Sequence, residues 1–375
     1  MANKTILVIL HELSPSGAPT LLLNQLKIIK DDASFIFLSA VEGELRTQFE
    51  SIGKVYVLKY NVLNRSFGSK RLVLKFFSRI YIKCFTYYLL KKHKPIKILS
   101  NTITNSKLVY FFKNSQIPIL TYVHEGPQLL IEAKKNGHVQ RTLEYSSSIL
   151  AVSNLVKNQL LEFNCTIPIY HVPGGVKVPK KIINDPCNSV QHRILIVGRM
   201  HFYKGSDLLI HFLKELIKLN KNVKIIWLGV DFSSIEYNIL KFDLDKLGLS
   251  DYIDLQSLRN SNIDSFYKES DIVVSLSRSE SFSLVALEAA SFGKICLNFE
   301  SIGGPDEIFA GLELPKISYL DLATMASETL KLLSNKELKL ELENSVYTRL
   351  VIDYSIENSA ENLKKILLKS ISCHE

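Results

Sequence analysis

Little in this chain would staple it together covalently or carry it through a membrane. Cysteine occurs five times in 375 residues, at Cys84, Cys165, Cys187, Cys296 and Cys373. The set is odd in number, scattered and free of any Cys-x-x-Cys pair. That argues against a disulfide framework and a zinc knuckle, and fits a reducing compartment. Glycine and proline are not enriched, and no low-complexity tract or internal repeat is visible, which argues against a solenoid. No apolar run approaches the roughly 18 residues of a membrane span. The first one, Thr5–Leu10, is too short for a signal-peptide core. The chain reads as cytoplasmic and not integral to a membrane. No His-Glu-x-x-His motif or His/Cys cluster is present, so no metal is expected. The one Asp-x-Asp, Asp243 and Asp245, falls in the helical pattern Ile235–Leu247 rather than on a loop after a strand, and reads as surface charge.

Acidic residues are missing from one long block. Between Lys54 and Lys97 there are 12 lysines or arginines and no aspartate or glutamate, in a chain of net charge +9. Arg71, Lys75, Arg79 and Lys83 recur every fourth residue and so share one helical stripe, with aromatics such as Phe76, Phe77, Phe85, Tyr87 and Tyr88 around them. This block, Lys70–Lys94, has two readings: a helix attracted to an anionic membrane surface, or a solvated basic face over a core-facing stripe. No nucleic-acid motif accompanies it, and nucleic acid is not expected as a partner.

What is present is ordinary globular composition, 46% hydrophobic and 22% charged, in a length that suits two domains. Short β-branched runs alternate with helical patterns throughout. In the first half they are Thr5–Leu10, Phe35–Ala40, Val55–Leu58, Ile96–Ser100, Ile117–Val123, Ile149–Val152 and Ile169–Val172. In the second half they are Arg193–Val197, Lys224–Gly229, Ile253–Gln256, Asp271–Leu276 and Lys294–Phe299. Helical patterns between them include Thr20–Lys30, Asp207–Leu219 and Ser283–Phe292. Alternation of this kind predicts an α/β protein with parallel sheets covered on both faces, in two doubly wound domains. The boundaries are 1–178 and 190–353, with a Pro/Gly-marked linker at 173–191. A C-terminal helix within 354–375 is expected to pack back on the first domain.

Five features have side chains suited to chemistry. Glu280 and Glu288 bracket the start of a helix that Ser281 or Ser283 would cap, leaving the amides of Phe282, Ser283 and Leu284 as donors for a phosphate. Gly198-Arg199 and Lys204-Gly205 follow a strand, and place a guanidinium fork and a mobile ammonium where a diphosphate would sit. Gly17 lies in the loop after the first strand. His124 and Glu125 end another strand, and His11 has a similar position. Gly303 to Glu307 form a turn after the last strand. Each also has a plainer reading: surface loop, capped turn or structural histidine.

In order and spacing, this set resembles the retaining GT-B nucleotide-sugar glycosyltransferases of family 4. Their E-x7-E motif is matched by Glu280 and Glu288, their GR…KG loop by Arg199 and Lys204, and their glycine-rich turn by Gly303–Glu307. The likeness is strong from Gly198 to Glu307 and looser before. It implies two Rossmann-like domains facing each other across a cleft, and a nucleoside-diphosphate sugar as co-substrate with no further cofactor. It implies that Glu288 holds the ribose, and that Glu280 with the amides of Phe282 to Leu284 holds the donor sugar and distal phosphate. Arg199 and Lys204 would neutralise the leaving diphosphate, Gly17 would let backbone approach it, and His124 would face the sugar. The implied role is transfer of a hexose-type sugar to a glycan or lipid-linked acceptor in bacterial-type surface polysaccharide synthesis. A non-catalytic nucleotide-sugar-binding module and a nucleotide-sugar epimerase are the alternatives. Two departures stand out: Ser281 and Ser283 replace the usual glycine-rich turn, and Pro173-Gly174-Gly175 replaces Pro-Asn-Gly.

Overall fold

The computed structural model describes residues 4–58, 70–179, 191–258 and 262–369, with the backbone alone at 70–76. Cys187, Cys373, the side chains of Arg71 and Lys75, and the stretch 180–190 of the expected linker lie outside the described residues.

Two compact units are formed. Unit 1 comprises Met1–Gly175 and Ile356–Glu375; unit 2 comprises Val176–Ser355. Unit 1 is built on β1 (Thr5–Leu10), β2 (Ser34–Ser39), β3 (Gly53–Val57), β4 (Lys97–Asn101), β5 (Ile119–Val123), β6 (Ser148–Ala151) and β7 (Ile169–His171). They make one sheet in the order β3-β2-β1-β4-β5-β6-β7, parallel at every pairing. Unit 2 is built on β8 (His192–Val197), β9 (Val223–Leu228), β10 (Ile253–Gln256), β11 (Ile272–Val274) and β12 (Cys296–Leu297), again all parallel, in the order β10-β9-β8-β11-β12. Each expected strand is present. β11 and β12 are shorter than their apolar runs, whose ends bend into loops.

The strands are near-continuous apolar runs because helices cover both faces of a parallel sheet. Ile6 to Leu10 of β1 are all buried, as are all five residues of β4 and of β5. Trp227 of β9 is the largest fully buried side chain, and its indole N–H donates to the Gly198 carbonyl at 2.8 Å, so even this core residue satisfies its polar atom.

Unit 1 is completed by the last described helix, Ile356–Leu368. It buries Ile356, Ala360, Leu363 and Leu367. Gln25, itself fully buried, donates to Ser359 Oγ at 2.8 Å, and Ser359 donates on to the Pro173 carbonyl at 2.6 Å. Lys97 places its ammonium on the Ile366 and Lys369 carbonyls, at 2.8 and 2.7 Å, where a helix C-terminus offers unpaired acceptors.

Strand order reverses between β1 and β4 in unit 1 and between β8 and β11 in unit 2. Loops diverge there at the carboxyl ends of the strands, which is where doubly wound sheets take ligands. Two sequence expectations shift in detail. The first helix is Gly17–Ile28 and opens one turn before Thr20, because Pro19 is tolerated in a helix's first turn. The pattern from Asp207 becomes a 3₁₀ turn, Ser206–Leu208, before the helix Leu209–Leu219. Asp243 and Asp245 lie within the helix Ile235–Leu247, as read from the sequence. Among the described residues, no helix is long and apolar enough to cross a membrane.

Candidate functional site

The reversal point of unit 2 gathers most of the residues singled out above. β8 ends at Val197, and the chain turns through Gly198, whose φ of 148° is open to glycine. Arg199 follows, exposed, with no ion pair among the described residues. The loop then makes a short 3₁₀ turn, Phe202–Lys204, closed by Gly205 at φ 71°. A side chain at 205 would collide with the Leu276 carbonyl, so the glycine lets this loop lie directly on the end of β11.

After β11 the chain runs through Arg278 to Glu280 and the helix Leu284–Ser291. Glu280 is only 8% exposed. Its amide donates to the Ile302 carbonyl at 2.8 Å, and its carbonyl accepts from Gly304 at 3.0 Å, which ties this loop to the turn after β12. The Gly303–Glu307 segment thus acts as a brace. Asp306 accepts the amides of Ser301 and Gly303, at 3.0 and 2.7 Å, and fixes the turn.

Lys204 and Glu280 form an ion pair at 2.7 Å. The cation proposed for phosphate and the carboxylate proposed for sugar are therefore one constellation. Beside them the helix Leu284–Ser291 begins. Ser283, not Ser281, is its N-cap; its hydroxyl accepts the Ala286 amide at 3.4 Å, with φ at +71°. A non-glycine residue in that region is strained, which gives a physical reason for glycine at this turn in the resembling family. Among the described residues, the amides of Phe282, Ser283 and Leu284 meet no acceptor, so the helix presents donors and a positive dipole end.

Glu288 lies one turn before the end of that helix. Burial pushes its carboxyl up to about 7, with Asp264 adding to the effect against a 2.8 Å hydrogen bond donated by Tyr267. Tyr267 is fully buried and stacks on Phe292 at 5.4 Å, so the oxygen that Glu288 offers is held in place.

One contributor has no motif to announce it. Arg278 sends its guanidinium to both oxygens of Asp207, at 2.8 and 2.7 Å, and to the Phe202 carbonyl at 2.6 Å. It lies 3.9 Å over the Phe202 ring, and its amide donates to Tyr203. This fork bolts the Arg199–Lys204 loop to the Glu280 loop.

Gly17 and His124 belong to unit 1. Gly17 is the exposed first residue of the helix Gly17–Ile28, near Glu12, which accepts from the hydroxyls of Ser14 and Ser16. His124 follows β5. Burial, and then His11, lower its pKa to about 3, so the ring is neutral at physiological pH. It shares a 2.8 Å hydrogen bond between Nε2 and Asn101 Oδ1. A ring this weakly basic suits hydrogen bonding better than proton removal. Glu125 next to it turns inward and accepts the amides of Ile103 and His124, at 3.1 and 3.0 Å. It thereby joins the loops after β4 and β5, where Thr102 sits at a strained φ of 125°.

A model of the family described as Glycosyl transferases group 1 matches residues 184–349. The chain is 29% identical over 232 residues to an uncharacterized glycosyltransferase, MJ1178, of Methanocaldococcus jannaschii; the match spans 60% of this chain and 60% of the relative. Among solved structures, HepE (Alr3699) of Anabaena, in complex with UDP and glucose, aligns with a TM-score of 0.78 at 15% identity, over 97% of this chain and 99% of that one. The apo form of the lipopolysaccharide outer core galactosyltransferase WaaB gives 0.71 at 16% identity, over 96% and 98%. Residues 184–349 thus resemble the glycosyl transferases group 1 family, in a chain with the two-domain, Rossmann-like GT-B fold.

Proposed function

We propose that this protein is a retaining glycosyltransferase that moves a hexose-type sugar from a nucleoside-diphosphate sugar to an acceptor hydroxyl in surface polysaccharide synthesis. The carrying observation is the Lys204–Glu280 pair beside the open N-terminus of the helix Leu284–Ser291. That end of the helix has donors for a phosphate, and the pair adds a cation for the diphosphate and a carboxylate for sugar hydroxyls. Arg199 supplies a second cation. Glu288, held by Tyr267, is an acceptor for ribose hydroxyls. His124 is read as a neutral hydrogen-bonding partner for a sugar hydroxyl, and Gly17 as a point of close backbone approach to phosphate. The acceptor oxygen bonds to the anomeric carbon on the face the diphosphate leaves. The carbon–oxygen bond to phosphate breaks, its electron pair stays on the phosphate oxygen, and that oxygen takes the acceptor's proton. The protein's part is to stabilise charge growing on the diphosphate.

Thermal melting against UDP, GDP, ADP, CMP, dTDP and their common sugar conjugates tests this reading. HepE was crystallised with UDP and glucose, so a UDP sugar is the first candidate. One diphosphate is expected to raise the melting temperature clearly at millimolar concentration, equally with and without EDTA. No shift with any of them would remove the donor assignment and leave a non-catalytic module.

Glu288→Gln should show two effects of opposite sign. A carboxyl whose folded pKa is raised to about 7 keeps its proton in the native state while the unfolded chain has released it. Native stability is therefore lost as pH rises from the ordinary carboxyl range through 7. The amide escapes this. We expect the variant to be about 1–3 kcal/mol more stable at pH 8 and no more stable near pH 4, while binding the nucleotide about tenfold more weakly. A pH-independent stability difference, or unchanged affinity, would refute the assignment.

The helix Lys70–His93 gives the membrane reading its support. Phe77 and Tyr87 are 59% and 63% exposed, and the Lys91 and Lys92 ammonium groups lie over the Tyr87 and Tyr88 rings at 5.6 and 5.1 Å. An exposed face of aromatics and cations suits an anionic interface. In flotation with vesicles, recovery is expected only when they contain anionic lipid; equal recovery with neutral vesicles would return this face to solvent. The free thiols Cys84, Cys165 and Cys296 fit a reducing, cytoplasmic setting.

A further inference from the structure

Unit 1 has its own cavity, of about 940 Å³, at the carboxyl ends of β1 to β4. His11 follows β1, Ala40 follows β2, Leu58 follows β3, and Thr104 and Asn105 follow β4; all five line it. The cavity therefore occupies the reversal point of the unit 1 sheet, where the topology leaves a crevice. Its volume is in the range of small-molecule sites.

Its chemistry is lopsided. One wall is apolar, made by Leu58, Ile80, Ile82, Leu108 and Phe111. The polar part carries four cations, Arg79, Lys83, Lys107 and Arg141, and no carboxylate. Among the described residues, none of the four forms an ion pair. Arg141 uses Nη2 on the Asn136 carbonyl at 2.8 Å, while its Nε is shielded from solvent without a hydrogen-bond partner. His11 Nδ1 is in the same condition. The nearby carboxylate of Glu12 is already engaged by His11, Ser14 and Ser16. His138, bonded to Ser106 at 2.7 Å, is held below the usual histidine range by burial, then by Arg141 and Lys107, which registers the positive field from the inside.

Cations left without acids, facing a hydrocarbon wall, call for a ligand with both characters. Inorganic phosphate would leave the wall wet, and a neutral lipid would leave four charges unanswered. We propose that this cavity binds a phosphate or diphosphate ester carrying a hydrocarbon tail, and that such an ester, with a hydroxyl on its head group to receive the sugar, is the acceptor class of this protein. The acceptor part rests on the transfer reaction proposed above; the binding part does not.

Equilibrium dialysis of the full chain with radiolabelled decyl phosphate, below its micelle concentration, tests the binding. One saturable site is expected, with decanol and inorganic phosphate each at least tenfold weaker. Lys83→Glu with Lys107→Glu should weaken decyl phosphate at least tenfold, and the single Lys83→Ala severalfold should the double variant not fold. Equal affinity for inorganic phosphate, equal affinity for decanol, or unchanged affinity in the variants would each overturn the site. For the acceptor class, label from the nucleotide sugar found by melting is followed in the presence of a total lipid extract. Label is expected in the butanol phase and is expected to fall as decyl phosphate is added. Label that enters only water-soluble product would overturn the acceptor class and leave the donor reading standing. No nucleotide shift at all would instead be the failure of the donor reading, with the dialysis result still deciding the cavity.

Discussion

With Arg199 and Lys204 both replaced by alanine, nucleoside diphosphate is expected to be released about a thousandfold more slowly than by the unaltered chain. The size follows from the role. Removing one preorganised group that meets growing negative charge costs roughly 10²–10³ in turnover, and these two groups serve the same charge, so their losses should not simply multiply. Folding should suffer far less. Arg199 is exposed, with no ion pair among the described residues. Lys204 pairs with Glu280 at 2.7 Å, and its loss leaves that mostly buried carboxylate without its cation, a cost of about 1–3 kcal/mol that lowers the melting temperature by several degrees. Single-turnover release measured beside a melting curve separates the two effects. Near-wild-type turnover in the double variant would put the diphosphate elsewhere.

The second large effect is expected at Arg278, a positioning residue. Its guanidinium holds Asp207 and the Phe202 carbonyl, and so sets where Lys204 stands relative to Glu280. Without the fork the two loops can slide, and a displacement of about 1 Å at a reacting site is enough to cost roughly a hundredfold. Arg278→Ala is therefore expected to lower kcat about a hundredfold while the donor KM changes by less than about threefold, because Glu288 and the helix amides are untouched. Arg278→Lys keeps the charge without the planar fork and should recover only a small part. Full recovery by lysine, or a loss explained by the folded fraction alone, would make this contact an ordinary surface ion pair.

Arg278 also marks where reading the sequence stops. It lies between Ser277 and Ser279 with no spacing signal, and its partner Asp207 is 71 positions away. Glu280 and Lys204 were both visible as candidates from their strand-end positions, but their pairing across 76 residues depends on β8 and β11 being neighbours, which is tertiary information. The strands themselves were legible because burial on both faces favours near-continuous apolar and β-branched runs, as in β1 and β5, whereas β4 also buries Lys97, Ser100 and Asn101. Where a run ends in a loop, as beyond β11 and β12, apolar character persists and the boundary blurs. Ser281 and Ser283 looked interchangeable as caps, and only the backbone at Ser283 decides between them. The unit 1 cavity was not legible at all, since its lining comes from segments scattered between His11 and Arg141 that no local pattern unites.

The route of the chain through the two units has a consequence for biosynthesis. Unit 2 is one uninterrupted stretch and contains every residue its core needs by Ser355. Unit 1 is started first, yet Gln25 and Lys97 have no Ser359, Ile366 or Lys369 to meet until residues 356–369 have been made. On the ribosome unit 1 therefore cannot finish ahead of unit 2, as an earlier domain usually does. The growing protein carries an unfinished first half, with a helix-sized apolar groove open, throughout the synthesis of its second.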